Sequence, residues 1–219
     1  MTNFALARRN MVDGQLRPNK VTSIELLAAI GELPRERFLP EALKSVAYAD
    51  DDVPLGNGRF LMEPMVLARL IQALQATPDD RALVVAAGRG YGAALLARLV
   101  KSVVAVEGDP ALASAANQTI KELGIGNVAF HVGKMEDGAT FSAPYDVVLI
   151  EGAVRRIPQT IIDQLADGGR LAMVLATDTG ALGVAQLVVK DGGVASGRAL
   201  FDAGTPLLPG FASAPRFTF

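Results

Sequence analysis

Between residues 82 and 107 the chain leaves itself few folds. An apolar run, Ala82-Leu83-Val84-Val85-Ala86, breaks into Ala87-Gly88-Arg89-Gly90-Tyr91 and continues through Ala93-Ala94-Leu95-Leu96-Ala97. A second apolar run, Val103-Val104-Ala105-Val106, then ends on Glu107. The pattern predicts strand, tight glycine turn, helix, and a strand with an acidic tip. Glycines at the turn let a ligand approach the backbone because no Cβ stands in the way. A carboxylate ending the second strand can accept both hydroxyls of a ribose. The segment reads as the nucleoside-binding half of a doubly wound α/β domain.

Spacing alone leaves the nucleoside open. Gly88-x-Gly90-x-x-Ala93, with Glu107 beyond it, fits the relaxed dinucleotide fingerprint. Ala86-x-Gly88-x-Gly90 equally resembles the glycine motif of S-adenosylmethionine enzymes, and a strand–helix turn with no ligand is the plain alternative. Other chemistries are narrowed by composition. There is no cysteine, so disulfides and thiolate catalysis are excluded. His131 is the single histidine, which rules out a histidine-built metal site, argues against a Ser-His-Asp triad, and suits a structural role. A net charge of -2 points away from nucleic acid as the dominant partner. No apolar stretch follows Arg8-Arg9 as in an export signal, and Asp178, Gly180 and Gly183 interrupt the apolar 171–190 region. A cytoplasmic protein outside the membrane is the expectation.

Along the chain, the first 60 or so residues show helical or irregular patterns and no convincing strand. Thr22 and Glu25 form a capping-box pattern before Leu26, Leu27 and Ile30. Pro64 opens a helix whose stripe is Leu67, Leu70, Ile71 and Leu74. Asp109 and Pro110 start another that Gly124 stops. Strands are expected at Val128–Phe130, Asp146–Ile150 and Leu171–Ala176, with a helix from Pro158 ending near Gly168-Gly169. Ala185–Lys190 and the run Arg198–Phe201, flanking Asp191-Gly192-Gly193, predict an antiparallel hairpin. Strand–helix alternation ending in a hairpin favours a parallel sheet with an antiparallel edge. Ligands of such sheets lie beyond the carboxyl ends of the strands. That places Ala87–Gly90, Glu107, Gly133-Lys134-Met135 and Glu151 around one cleft.

Over nearly its full length the chain resembles the protein-L-isoaspartate O-methyltransferase family. The resemblance is carried by Met11-Val12 with Gln15-Leu16, Pro34-Arg35-Glu36 into Phe38-Leu39-Pro40, Ala47-Tyr48-Ala49-Asp50, and Pro54-Leu55-Gly56-Asn57-Gly58. It continues through Pro64, Gly88-Arg89-Gly90-Tyr91, Val106-Glu107, Pro144-Tyr145-Asp146-Val147 and Gly168-Gly169-Arg170-Leu171. The resemblance implies an α/β, Rossmann-like methyltransferase fold. Its sheet is mostly parallel and seven-stranded, with a reversed C-terminal hairpin strand. Residues 1–63 form a helical N-terminal extension and substrate-side loop, and residues 64–219 an S-adenosylmethionine-binding α/β unit. The implied activity is methyl transfer from S-adenosyl-L-methionine, with S-adenosyl-L-homocysteine as product, to isoaspartyl carboxylates in damaged proteins or peptides. Cofactor contacts carried over are Ala86, Ala87, Gly88, Arg89, Gly90, Glu107, Lys134 and Met135.

The substrate-side loop departs from the family pattern. Where the family reads Gln-Thr-Ile-Ser-Gln-Pro after Gly58, this chain reads Arg59-Phe60-Leu61-Met62-Glu63-Pro64. Met62 thus stands at the family's active-site Ser and Phe60 at its Thr; Gly58, Phe60 and Glu63 line the implied substrate side. Val84 replaces an acidic residue, Ala86 the first glycine, and Lys134 the Asp of a Gly-Asp-Gly. Arg59 could bind a carboxylate bidentately in place of the lost hydroxyl, or stand solvated beside Gly58. Glu151, where the family carries a small or hydroxyl residue, would repel an incoming carboxylate if ionised. It could instead serve as a base for a hydroxyl or amine acceptor, or point away from the cleft. Methylation of another acceptor and a non-catalytic binding role therefore remain as alternatives.

Overall fold

The run at 81–85 is an interior strand of the sheet on which everything else is arranged. The structure, a computed structural model, describes residues 3–177 and 182–211. Seven strands form the sheet: β3 (Arg81–Val85), β4 (Ser102–Glu107), β5 (Val128–Val132), β6 (Tyr145–Val154), β7 (Leu165–Ala176), β8 (Gly183–Asp191) and β9 (Val194–Ala203). They follow the order β5-β4-β3-β6-β7-β8-β9. The pairs from β5 to β7 are parallel, whereas β8 lies antiparallel to both neighbours and is the reversed strand of the expected hairpin. The winding direction reverses between β3 and β6, so the ligand crevice of such a sheet opens beyond their carboxyl ends. Leu83, Val84 and Val85 are fully buried, as strands covered on both faces must be.

The helices are α1 (Phe4–Met11), α2 (Ile24–Glu32), α3 (Pro64–Ala73), α4 (Tyr91–Ala97), α5 (Pro110–Glu122) and α6 (Gln159–Asp163). Each expected helix start has a visible cause. Pro64 is the first residue of α3, and Asp109 Oδ1 accepts from the amides of Ala111 and Leu112 to cap α5. In α2 the cap falls one residue later than the capping box predicts: the Ser23 hydroxyl accepts from Leu26 N. The amides of Thr22 and Ser23 both donate to Gln72 Oε1 of α3, which ties the start of α2 to that helix. None of these helices is long and apolar enough to cross a membrane.

Three expectations are corrected. The segment before residue 64 does contain strands: β1 (Val53–Gly56) and β2 (Arg59–Leu61) form an antiparallel hairpin. Pro54 and Gly56 hide it from a propensity reading, because both are poor strand residues. The helix at 158 is short, and β7 begins at Leu165 and runs through Gly168-Gly169. His131 is exposed on the edge strand β5, its ring edge-on to Phe141 at 5.0 Å. Of the residues expected to interrupt the 171–190 region, Asp178 and Gly180 lie outside the described residues. After β9 the chain returns to the sheet: Leu208 N donates to Ala153 O at 2.8 Å, and Ala153 N to Pro206 O at 3.1 Å. This return carries Pro209 and Gly210 to the carboxyl end of the sheet.

One position in the glycine turn carries strain. Ala86 has φ 61°, in the left-handed region. A Cβ-bearing residue there costs roughly 1–2 kcal/mol, partly offset because glycine is the more flexible residue when unfolded. Ala86→Gly should therefore raise stability by about 0.5–1 kcal/mol, seen as a higher urea midpoint at unchanged slope. A lower midpoint would show that the Ala86 methyl, 1% exposed, packs well enough to outweigh the strain.

Candidate active site

The turn after β3 and the tip of β4 meet because parallel pairing sets Val85 beside Val106. Ala87 N extends this pairing with a bond to Val106 O at 3.1 Å. Gly88 (φ 55°) and Gly90 (φ 91°) then turn the chain into α4. A Cβ at Gly90 would lie 2.9 Å from Phe130 Cζ and 3.1 Å from Ala116 Cβ, so the turn is closed behind as well as conformationally demanding. Arg89 stands half-buried between the two glycines.

Glu107 is fully buried and gathers donors from three segments. Its Oε2 accepts from Gly88 N at 2.6 Å and Arg59 Nη2 at 2.9 Å. Its Oε1 accepts from Gly108 N at 2.9 Å, Asp109 N at 3.1 Å and Arg59 Nε at 3.3 Å. Arg59 is 3% exposed, so it is not the solvated arginine that the sequence allowed. Nor does it present a free fork to a substrate carboxylate: Nε and Nη2 hold Glu107, and Nη2 also donates to Ala86 O. The β1–β2 hairpin thus lies over the glycine turn, with Leu55 Cδ1 3.1 Å from where a Cβ of Gly88 would be. At its tip Asn57 Nδ2 donates to Asp109 Oδ2 at 2.8 Å.

Beside this junction is a cavity of ≈ 700 Å³, walled by Asn57, Arg59, Glu107, Lys134, Met135 and Pro209 among others. Its size suits a nucleoside-sized ligand. Met135 is buried, Lys134 is exposed at the rim, and Gly133 N bonds Glu107 O at 3.1 Å. Of the sequence-predicted residues, Arg59, Glu107, Lys134 and Met135 wall this cavity, while Ala86 and Gly88 of the glycine turn are bonded to Arg59 and Glu107 but do not line it. Gly58 stands nearby against Pro209, whose Cγ lies 3.0 Å from the position of an added Cβ.

The remaining candidates are dispersed. Met62 is 1% exposed in the hydrophobic core, and its contribution is a carbonyl that accepts from Arg35 Nη2 at 2.6 Å. Phe60 is half-buried, paired across the hairpin with Pro54. Glu63 is half-buried, and burial together with Asp50, Asp52 and Asp51 pushes its carboxyl up to about 7. Its amide donates to Asp52 Oδ1 at 2.8 Å. Glu151 is buried against Gly92 of α4 and is not among the residues that wall the cavity. Burial raises its pKa to about 8, against the lowering influence of Arg59 and Arg35. At neutral pH it is therefore mainly protonated, and the repulsion expected of an ionised Glu151 is removed.

Arg35 is the residue that sequence reasoning undervalued. It is fully buried, donates from Nε to Ala47 O at 2.7 Å, and its guanidinium lies 5.0 Å from the Tyr91 ring centroid. Burial lowers its pKa. A charged residue inside the turn between Pro34 and Pro40 was the available signal, but nothing local reveals that its partners are 12 and 27 residues away.

Residues 7–200 match the family model described as Protein-L-isoaspartate(D-aspartate) O-methyltransferase. A Rhodopseudomonas palustris relative named protein-L-isoaspartate O-methyltransferase 1 is 38% identical over 180 residues, which are 82% of this chain and 74% of that one. A Methanoregula boonei protein-L-isoaspartate O-methyltransferase is 40% identical over 166 residues, 76% of each chain. Among solved structures, one named protein-L-isoaspartate O-methyltransferase aligns with a TM-score of 0.82 and 25% identity, covering 93% of this chain and 66% of that one. A Plasmodium falciparum structure assigned to the same activity, in complex with S-adenosyl-L-homocysteine, has a TM-score of 0.76 at 20% identity and covers 95% and 99% of the two chains. At that identity it bears on the fold alone.

The protonated Glu151 makes stability depend on pH in a defined sense. Its carboxyl titrates near 4.5 when unfolded and near 8 when folded, so rising pH between these values disfavours the folded state. The slope for one such group is about 1.4 kcal/mol per pH unit. Glu151→Gln, which keeps the neutral shape, should match the parent near about pH 5 and exceed its stability near about pH 9. Denaturation curves showing the same difference at both pH values would mean that Glu151 is ionised in the folded chain.

Proposed function

The chain belongs to the protein-L-isoaspartate O-methyltransferase family, and from that we propose that it is an S-adenosylmethionine-dependent methyltransferase acting on isoaspartyl carboxylates in proteins or peptides. The observation that carries the reading is Glu107 at the tip of β4, bonded to the Gly88 amide and opening on the ≈ 700 Å³ cavity. This carboxylate, the glycine turn, and the Lys134–Met135 wall fit a nucleoside cofactor once Arg59 yields its place. When bound, the cofactor supplies an activated methyl group on a sulfonium.

The chain's own residues would then bind and align. Ala86, Ala87, Gly88, Arg89 and Gly90 would present backbone to the ligand, Glu107 would accept from the ribose, and Lys134 and Met135 would border its base. An acceptor carboxylate is anionic at neutral pH, so no proton has to be abstracted and alignment is the main requirement. The loop around Phe60 and Met62 offers it no hydroxyl, and residues 1–63 would form the substrate side around that loop. Slow turnover follows from missing hydrogen bonds, since each one to a charged group is worth about 1.5–3 kcal/mol.

Calorimetry and a labelled-methyl assay test this together. S-adenosyl-L-homocysteine at ~100 times its dissociation constant should stabilise the fold by about 2.7 kcal/mol. An isoaspartyl peptide should accept label slowly, while the matching aspartyl peptide accepts none. Cofactor binding without transfer would move the activity to another acceptor, and no binding would leave a protein that uses the fold for another purpose. Restoring the loop hydroxyls is a more costly experiment than the sequence suggests. Met62→Ser removes a buried side chain, at about 2–5 kcal/mol by analogy with other large-to-small core changes.

A further inference from the structure

Arg59 stands where a ribose would have to bind, and its exit has one evident destination. A carboxylate offers about four lone-pair sites, and Glu107 already accepts five hydrogen bonds, so it has no capacity left for a diol. Two of the five come from Arg59, and a ribose diol brings two hydroxyl donors. The exchange would therefore leave Glu107 with the same number of partners. Among the described residues, Arg59 Nη1 and Glu151 Oε1 are both buried without a hydrogen-bond partner. A buried polar atom in that state is costly, so each gains from meeting the other. The charged groups acting on Glu151 are Arg59 from β2, Glu107 from β4 and Arg35 from the turn after α2; on α4, Gly92 lies against it, and the titratable Tyr91 packs on Arg35. Arg35 Nη1 is likewise buried without a partner, but Arg59 acts on Glu151 more strongly, and it is Arg59, not Arg35, whose bonds to Glu107 a diol would replace.

We propose that Arg59 and Glu151 are positioning residues for the nucleoside: the ribose diol takes Glu107, the displaced guanidinium passes to Glu151, and the carboxyl proton of Glu151 leaves to solvent. This rests on the cofactor reading above. The proton balance is simple. Glu151–COOH becomes a carboxylate paired with Arg59, one proton goes to the buffer, and no covalent bond to carbon changes. Ligand affinity then rises with pH until Glu151 is already ionised in the free protein, near about 8.

Titration calorimetry of the full chain in two buffers of different ionisation enthalpy, near about pH 7, counts the proton directly. Adenosine is the first probe, because it carries the diol but neither ammonium nor carboxylate; S-adenosyl-L-homocysteine is run beside it. The expected result is release of about one proton per ligand, declining above about pH 8 and lost in Glu151→Gln. In Arg59→Gln binding should persist or tighten with no proton released. Buffer-independent heats in the parent would overturn the exchange while leaving the cofactor reading intact. Release that survives in Arg59→Gln or Glu151→Gln would also overturn it, since the proton would then come from elsewhere. Failure of both ligands to bind parent and Arg59→Gln alike would instead overturn the cofactor reading on which the exchange rests.

Discussion

The site depends on one buried ion pair. Glu107 binds Arg59 of β2, Gly88 of the turn after β3, and Gly108 and Asp109 leading into α5. A single carboxylate thus fixes where three segments stand relative to one another. Such a pair adds little net stability, because desolvation of both ions offsets most of their attraction. Removing one partner is another matter, at about 3–5 kcal/mol, since it strands the other charge. The arrangement therefore specifies geometry more than it stabilises. The hairpin that Arg59 anchors cannot move without first finding that guanidinium another anion or water.

A second buried guanidinium works from the other side. Arg35 takes the carbonyls of Ala47 and Met62 and packs on Tyr91, so the chain just after β2 is held from beneath. Glu151 lies within electrostatic reach of both arginines and stays mostly protonated because burial outweighs them. Two cations near one titratable acid make the centre of the molecule electrically adjustable. Where Arg59 sits decides whether Glu151 carries a charge.

Much of this was legible in the sequence, for physical reasons that can be named. The β3–turn–α4–β4 unit shows because fully buried parallel strands are uninterrupted apolar runs and the turn needs glycine. The Asp109–Pro110 start of α5 shows because capping is local. Illegible were features that depend on distant partners: Arg59 with Glu107 is 48 residues apart, and nothing in either neighbourhood announces the pair. Met62 stood out by comparison with a family pattern, yet a methionine deep in the core is an ordinary packing residue whose carbonyl happens to matter. Ala86 reads as the end of an apolar strand run at the motif's first glycine position, and only that position hints at its left-handed φ. The return of Pro206–Gly210 to the sheet left no periodic signature at all.

The β1–β2 hairpin is fastened at two points of very different strength. Both lie at its turn end, where Gly56 pairs with Arg59: Asn57 on Asp109 is an exposed contact, and Arg59 on Glu107 a buried one. Exposed hydrogen bonds open often, while buried charged ones open rarely. Asp109 uses Oδ2 for the tip and Oδ1 for capping, so lifting the tip leaves α5 capped. The loop should consequently loosen at Asn57 many times for each release of Arg59 just beyond it. A molecule arriving at the cavity then meets a mouth of fluctuating width over a floor that stays set, and the two barriers to entry are crossed in sequence.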